Sequence, residues 1–179
     1  MYNKSIYLVI LVSMNVIIES TLKTLQKTKS LLDNLEDDAI CNSSVSPYYS
    51  SIGSHVRHIL DFYDCIFNLN SENKIDLTAR SRNKDVESKC CSAKDYLSTI
   101  TKKLNNLNID IHKTVIVIDD LGLGKIEMPY TLAAVYSQAN SHTIHHYAII
   151  NYILEGLNIS FPDSDFGYNP TTPKDIQAK

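Results

Sequence analysis

The sequence predicts an all-α fold, a four-helix bundle with a small β-hairpin inserted before the last bundle helix. Three observations predict it. Four stretches carry apolar residues at alternating steps of three and four, the spacing of one helix face. Glycine and proline number five each in 179 residues, a low count for a turn-rich β fold. The period breaks clearly in one place, the β-branched run Thr114-Val115-Ile116-Val117-Ile118.

The first helix is predicted from about Met14 to Asp37, on Ile17, Leu22, Leu25, Leu32 and Leu35. An apolar run, Ile6 to Ile18, precedes and overlaps it, behind Lys4. The run is shorter than the ~20 apolar residues of a membrane span. It contains Ser13 and Asn15 and lacks a clear small-residue cleavage site. It is therefore read as the start of the first helix, or as residues ahead of a natural start at Met14. Export or anchoring through residues 5–18 is the alternative to a cytoplasmic chain. This divides the sequence into an N-terminal extension (1–13), a bundle domain (14–173) and a short tail (174–179).

A Ser- and Asn-rich loop with Pro47 leads to the second helix, which starts near Ser51 on Ile52, His55, Val56, Ile59, Tyr63, Ile66 and Phe67. Asn70 to Asn83 reads as a polar connection. The third helix is predicted over about Lys84 to Asn106. The β-branched run, the turn Asp119-Asp120-Leu121-Gly122-Leu123-Gly124 and Lys125 to Tyr130 then form the hairpin. The fourth helix runs from Thr131, an N-cap residue, to Gly156, a C-cap residue. The remainder, with Phe161, Phe166 and Tyr168, is read as an irregular segment packed back on the bundle.

Composition narrows the function. A net charge of −3 gives no electrostatic argument for nucleic acid or an anionic membrane as partner. With 44% hydrophobic and 21% charged residues the chain is of ordinary globular composition. The four cysteines, Cys41, Cys65, Cys90 and Cys91, show no C-x-x-C spacing and fit reduced thiols in a cytosol-like compartment.

The fourth helix carries the chemistry. Its apolar seam is Leu132, Val135, Ala139, His142, His146, Ile149 and Ile153. Histidine stands at two seam positions, i and i+4, so the two rings lie one above the other on one face. Buried imidazoles need partners, because an unpaired polar group costs about 1–3 kcal/mol. A metal ion satisfies them, and so does an internal hydrogen bond. His145 points about 60° away from His142 and is read as a polar residue at the seam's edge. A metal needs a third ligand, and the second helix offers His55 and His58. Periodicity makes His55 the more inward of the two, and either can serve. Asp61 lies one turn after His58, where it can orient that ring or simply face solvent. Arg57, Arg80 and Arg82 can grip an anionic small-molecule substrate or form surface ion pairs.

The segment Ser51-Ile52-Gly53-Ser54-His55-Val56-Arg57-His58-Ile59-Leu60-Asp61, followed later by His142-Thr143-Ile144-His145-His146, resembles the DinB/YfiT-like superfamily. Ala79-Arg80-Ser81-Arg82 and Asp165-Phe166-Gly167-Tyr168-Asn169-Pro170-Thr171-Thr172 are similar to one branch of it. The resemblance extends over about Met14 to Pro173. It implies an up-down-down-up four-helix bundle that holds one divalent metal through three histidines. By that pattern the ligands are His58, within His58-Ile59-Leu60-Asp61, and the pair His142 and His146, which leaves His55 and Asp61 as supporting groups. Many relatives follow the second histidine of the pair with Arg-Gly-Gln, where this chain has Tyr147-Ala148-Ile149.

Three neutral imidazoles suit Zn or Ni, with Fe or Cu as further choices, rather than Mg or Ca. They leave a position open for water, whose pKa zinc lowers to about 7, or for a thiolate. The resemblance thus implies a metal-dependent hydrolase or a transferase using a low-molecular-weight thiol. A non-catalytic metal-binding or stress-related bundle is the alternative. Exposed bundle faces make a homodimer an open expectation.

Overall fold

The structure is a computed structural model that describes residues 4–173, with side chains from residue 16 onward. Side chains 6–15 of the N-terminal apolar run, and the tail 174–179, lie outside the described residues. The elements in order are α1 (Lys4–Asp33), α2 (Asp37–Ile40), α3 (Ile52–Phe67), β1 (Lys74–Asp76), α4 (Lys84–Ser88), α5 (Cys90–Asn105), β2 (Thr114–Asp120), β3 (Lys125–Thr131) and α6 (Leu132–Gly156).

The fold is mixed, which corrects the all-α expectation. Four long helices, α1, α3, α5 and α6, do pack together, with α3 and α1 each touching both α5 and α6. Beside them lies a three-stranded sheet in the order β1-β2-β3, and not merely a hairpin. The hairpin strands β2 and β3 pair antiparallel, with Val117 opposite Met128. The third strand, β1, pairs parallel to β2, with Ile75 opposite Val117. It comes from the stretch expected to be a polar connection. Its three residues alternate, with Ile75 buried between half-buried Lys74 and Asp76. Alternation over three residues is too short to stand out in the sequence, and the pairing that stabilises it lies some forty residues away, at Ile116 to Ile118. Val115 and Val117 point into the core with Ile75.

Two helix boundaries also differ from the expectation. The first helix stops at Asp33, and Asp37–Ile40 forms a separate turn that buries Ile40. The third predicted helix is two helices, broken at Lys89, whose backbone is extended at φ −130° and ψ 118°. The break has a cause in the turn before it. The Asp37 carboxylate accepts from the Cys90 backbone N–H at 2.7 Å, and the Cys90 thiol donates to the Leu35 carbonyl. An acidic side chain from α2 therefore caps the start of α5, where unpaired amides favour negative charge.

The helix starts near the site follow local rules. Ser51 caps α3 by accepting from the Ser54 N–H at 3.1 Å, and Thr131 caps α6 by accepting from the Ala134 N–H at 3.2 Å. At the other end α6 runs through Gly156 and is capped by Leu157. In the hairpin turn the Asp120 carboxylate accepts from the N–H groups of Gly122 and Gly124, which is turn chemistry. The segment after α6 returns to the helices, where Phe166 is buried and stacks on Tyr147 with ring centroids 4.6 Å apart. Among the described residues, no helix is long and apolar enough to cross a membrane.

Gly53 sits where α3 meets α4. A Cβ there would fall 1.9 Å from the Glu87 carbonyl oxygen, a backbone atom that cannot swing aside. Gly53→Ala is expected to destabilise the protein by about 1–3 kcal/mol through overpacking, read as a lower urea midpoint. A midpoint equal to that of the parent protein would show that α3 and α4 are not packed this closely.

Candidate metal centre

The α3–α6 contact places the histidines. On α3 the core face is Ile52, Val56, Ile59, Tyr63 and Ile66, and His55 and His58 flank it, both half-buried. On α6 the buried arc is wider than a single seam. It takes in Tyr136, Thr143, Tyr147, Ile150 and Leu154 as well as Val135, Ala139 and Ile153. His146 is 8% exposed, His142 is half-buried and His145 is exposed, so the i, i+4 pair faces α3 while the third histidine faces out.

One ring nitrogen from each of His58, His142 and His146 lies within 4.8 Å of the others, a group that can hold a metal ion. The His142 Nε2 is 2.9 Å from the His58 Nε2 and 3.0 Å from the His146 Nε2. Donors about 2.0–2.1 Å from one metal stand about 2.9 Å apart when they subtend a right angle, and about 3.3 Å at the tetrahedral angle. The two spacings at the His142 Nε2, 2.9 and 3.0 Å, are in the range that nitrogens sharing one metal would have.

Hydrogen bonding alone satisfies this cluster poorly. A neutral imidazole has one N–H and one lone pair. If the His142 Nε2 accepts, two N–H donors compete for a single lone pair. If it donates, one hydrogen is shared between two acceptors. A cation takes all three lone pairs at once. The donor set therefore fits a borderline metal that prefers nitrogen.

The electrostatics keep those lone pairs free. Burial, followed by the Arg80 charge, lowers the pKa of His58 from 6.5 to about 4. Burial and the neighbouring histidines lower His146 to about 2. His142 and His55 are lowered as well, chiefly by burial. All four rings are thus neutral at pH 7, the state a metal requires.

Around the three rings lies a further layer. The His55 Nδ1 is 2.9 Å from the His146 Nδ1, and the His55 Nε2 is 2.8 Å from the Ser50 hydroxyl. With His146 ligating through Nε2, its Nδ1–H donates to the His55 Nδ1, and the His55 Nε2–H donates to Ser50. Each proton has one place, so this chain fixes the tautomer and tilt of His146. Ser50 was not singled out in the sequence; it lies just ahead of the helix cap in a Ser-rich loop, with no signal of its own. Phe62 covers the other side of His142, with ring centroids 5.2 Å apart.

The remaining predicted residues have definite places. Asp61, 1% exposed, accepts from Arg57 (3.1 Å), the Ser81 hydroxyl (2.9 Å), the Arg82 backbone N–H (3.2 Å) and the Tyr96 hydroxyl (3.2 Å). The group on the His58 Nδ1 is Arg80, at 3.3 Å, and not Asp61. Arg57 is held between Asp61 and Glu87. Arg82 is exposed, with a left-handed backbone at φ 52°. Tyr63 and Tyr136 are buried, and Tyr63 shares a hydrogen bond with Thr143.

No family model matches the chain, and neither does any curated protein or solved structure. The metal centre therefore rests on the residues themselves.

The lowered histidine pKa values fix a pH dependence for the metal-free protein. Below pH 6.5 the unfolded chain takes up protons that folded His58 and His146 refuse until about 4 and 2, so stability falls as pH falls. Above pH 6.5 both states leave these rings neutral and this contribution is flat. Urea midpoints of chelator-treated protein are expected to decline between pH 6.5 and 5, a range above most carboxylate titrations. The His142→Ala, His146→Ala double variant is expected to show a shallower decline. Equal midpoints at pH 7 and pH 5 would contradict the burial of these rings.

Proposed function

We propose that this chain is a metal-dependent enzyme that binds one divalent transition ion through His58, His142 and His146 and works on a small molecule at the open position. The observation that carries the reading is the meeting of the His58 and His146 Nε2 atoms on the His142 Nε2, at 2.9 and 3.0 Å, in rings that burial keeps neutral. The ligand pattern and its order along the chain support membership of the DinB/YfiT-like superfamily, and through it a hydrolase or a thiol-dependent transferase. Zn and Ni lead among the ions that three imidazoles suit, ahead of Fe and Cu.

A bound ion of this kind supplies Lewis acidity to whatever occupies the open position. The chain supplies the rest. His55 and Ser50 hold His146 in the ligating tautomer, and Phe62 limits water on one side of His142. Tyr147, in place of the Arg that many relatives carry, is buried and bonded to the Thr24 carbonyl at 2.8 Å. It serves packing, so any anion-binding task falls to a residue elsewhere.

Elemental mass spectrometry tests the reading. Purified protein is expected to carry close to one Zn, Ni, Fe or Cu per chain, and the His142→Ala, His146→Ala variant none. Metal-free parent protein that stays metal-free after soaking with these ions would overturn it. Turnover against a panel of thiols, electrophiles and hydrolysable esters or amides, lost in His58→Ala, separates an enzyme from a metal-binding bundle without chemistry.

A further inference from the structure

Arg80 is in an unusual position for a cation. Its Nε donates to the Leu77 carbonyl at 3.1 Å and its Nη1 donates to the His58 Nδ1 at 3.3 Å. Among the described residues no carboxylate lies within ion-pair distance of it, whereas Arg57 has two. The loop that bears Arg80 is fixed on both sides of it. The Leu77 N–H donates to the Ile118 carbonyl, and Ser81 and the Arg82 N–H bond to Asp61. The guanidinium is therefore held against His58 on an anchored backbone.

The contact with His58 holds only without a metal. A neutral ring that ligates through Nε2 carries its proton on Nδ1. The Arg80 N–H and the His58 N–H would then point at each other, donor against donor. Arg80 has to leave the ring, yet its Nε contact and its anchored loop keep it nearby. The Arg80 charge acts on His142 as well as His58. Asp119, at the end of β2, acts on His142 in the opposite sense but makes no ion pair with Arg80. Three neutral ligands, a divalent ion and an unpaired guanidinium leave the site strongly positive.

We propose that Arg80 exchanges its bond to His58 for a bond to an anionic ligand, a carboxylate in the simplest case, when the three-histidine site is loaded. This rests on the metal reading above. Arg80 would oppose the metal and favour the anion, so removing it should move the two affinities in opposite directions. A side chain that only props up the site would move both the same way.

The test uses the full chain, stripped with chelator and titrated with Co(II), followed by its visible absorption. Acetate is then added as the anionic probe and imidazole as the neutral one. Arg80→Met is expected to bind Co(II) about threefold more tightly or better, and acetate about tenfold more weakly, with imidazole unchanged. Arg80→Lys, which keeps the charge, should retain most of the acetate affinity and guards against a folding defect in the first variant. Unchanged acetate affinity in Arg80→Met, or a joint loss of Co(II) and acetate binding, would overturn the proposal while leaving the three-histidine site standing. Failure of the parent protein to bind Co(II) would overturn the metal reading, and this inference with it.

Discussion

A single buried carboxylate organises the region around the histidines. The Asp61 side chain has no exposed surface and accepts from four donors on α3, the 80–82 loop and α5. A carboxylate removed from water costs several kcal/mol unless donors replace its hydration. Those donors have to be in place for the fold to be tolerable, so the loop after β1 cannot wander. That loop carries Arg80. The same Arg57 that pairs with Asp61 also reaches Glu87 on α4 at 3.0 Å, which draws α4 against Gly53. Asp61 and its partner Arg57 thus tie two helices, α4 and α5, and a loop to the segment of α3 that presents His58.

The site inverts the usual logic of buried charge. The Asp61 carboxylate is ringed by the Arg57 guanidinium, the Arg82 backbone N–H and the hydroxyls of Ser81 and Tyr96. The histidines are held neutral first by burial and then by one another and by Arg80. Burial disfavours the charged form of an imidazole, and nearby cations add to that effect. For the histidines the neutral state carries a free lone pair. The burial that makes them poor bases for protons leaves those lone pairs available to a metal.

Much of this was legible in the sequence. The i, i+4 histidines on an apolar helix were visible because histidine interrupts a regular seam of Leu, Val and Ile. The caps at Ser51 and Thr131 were visible because capping is local. The choice between His55 and His58 was not legible from periodicity, since the two flank the same core face and differ only in what α6 brings opposite each. Nor was β1, a strand of three residues defined by a partner far along the chain. The break at Lys89 depends on Asp37, and the tie between Asp61 and Tyr96 depends on the placing of α5. In each case the missing information is a contact distant in sequence, which no local period encodes.

The rotation of α6 about its own axis decides whether two histidines become ligands or surface groups, and two tyrosines set it. Tyr63 on α3 meets Thr143 at 3.1 Å. Tyr147, one residue beyond His146, reaches back to the carbonyl of Thr24 and to the Thr28 hydroxyl on α1. Because Thr143 and Tyr147 are themselves i and i+4, they form a second stripe about 100° around the helix from His142 and His146. Tyrosine is large enough to resist rotation by packing, and its hydroxyl has to find its partner once buried. Turning α6 enough to bring the histidines out of the α3 contact would break these three hydrogen bonds and unstack Phe166. The residue that locks the helix thus stands directly beside a residue that the helix presents to α3.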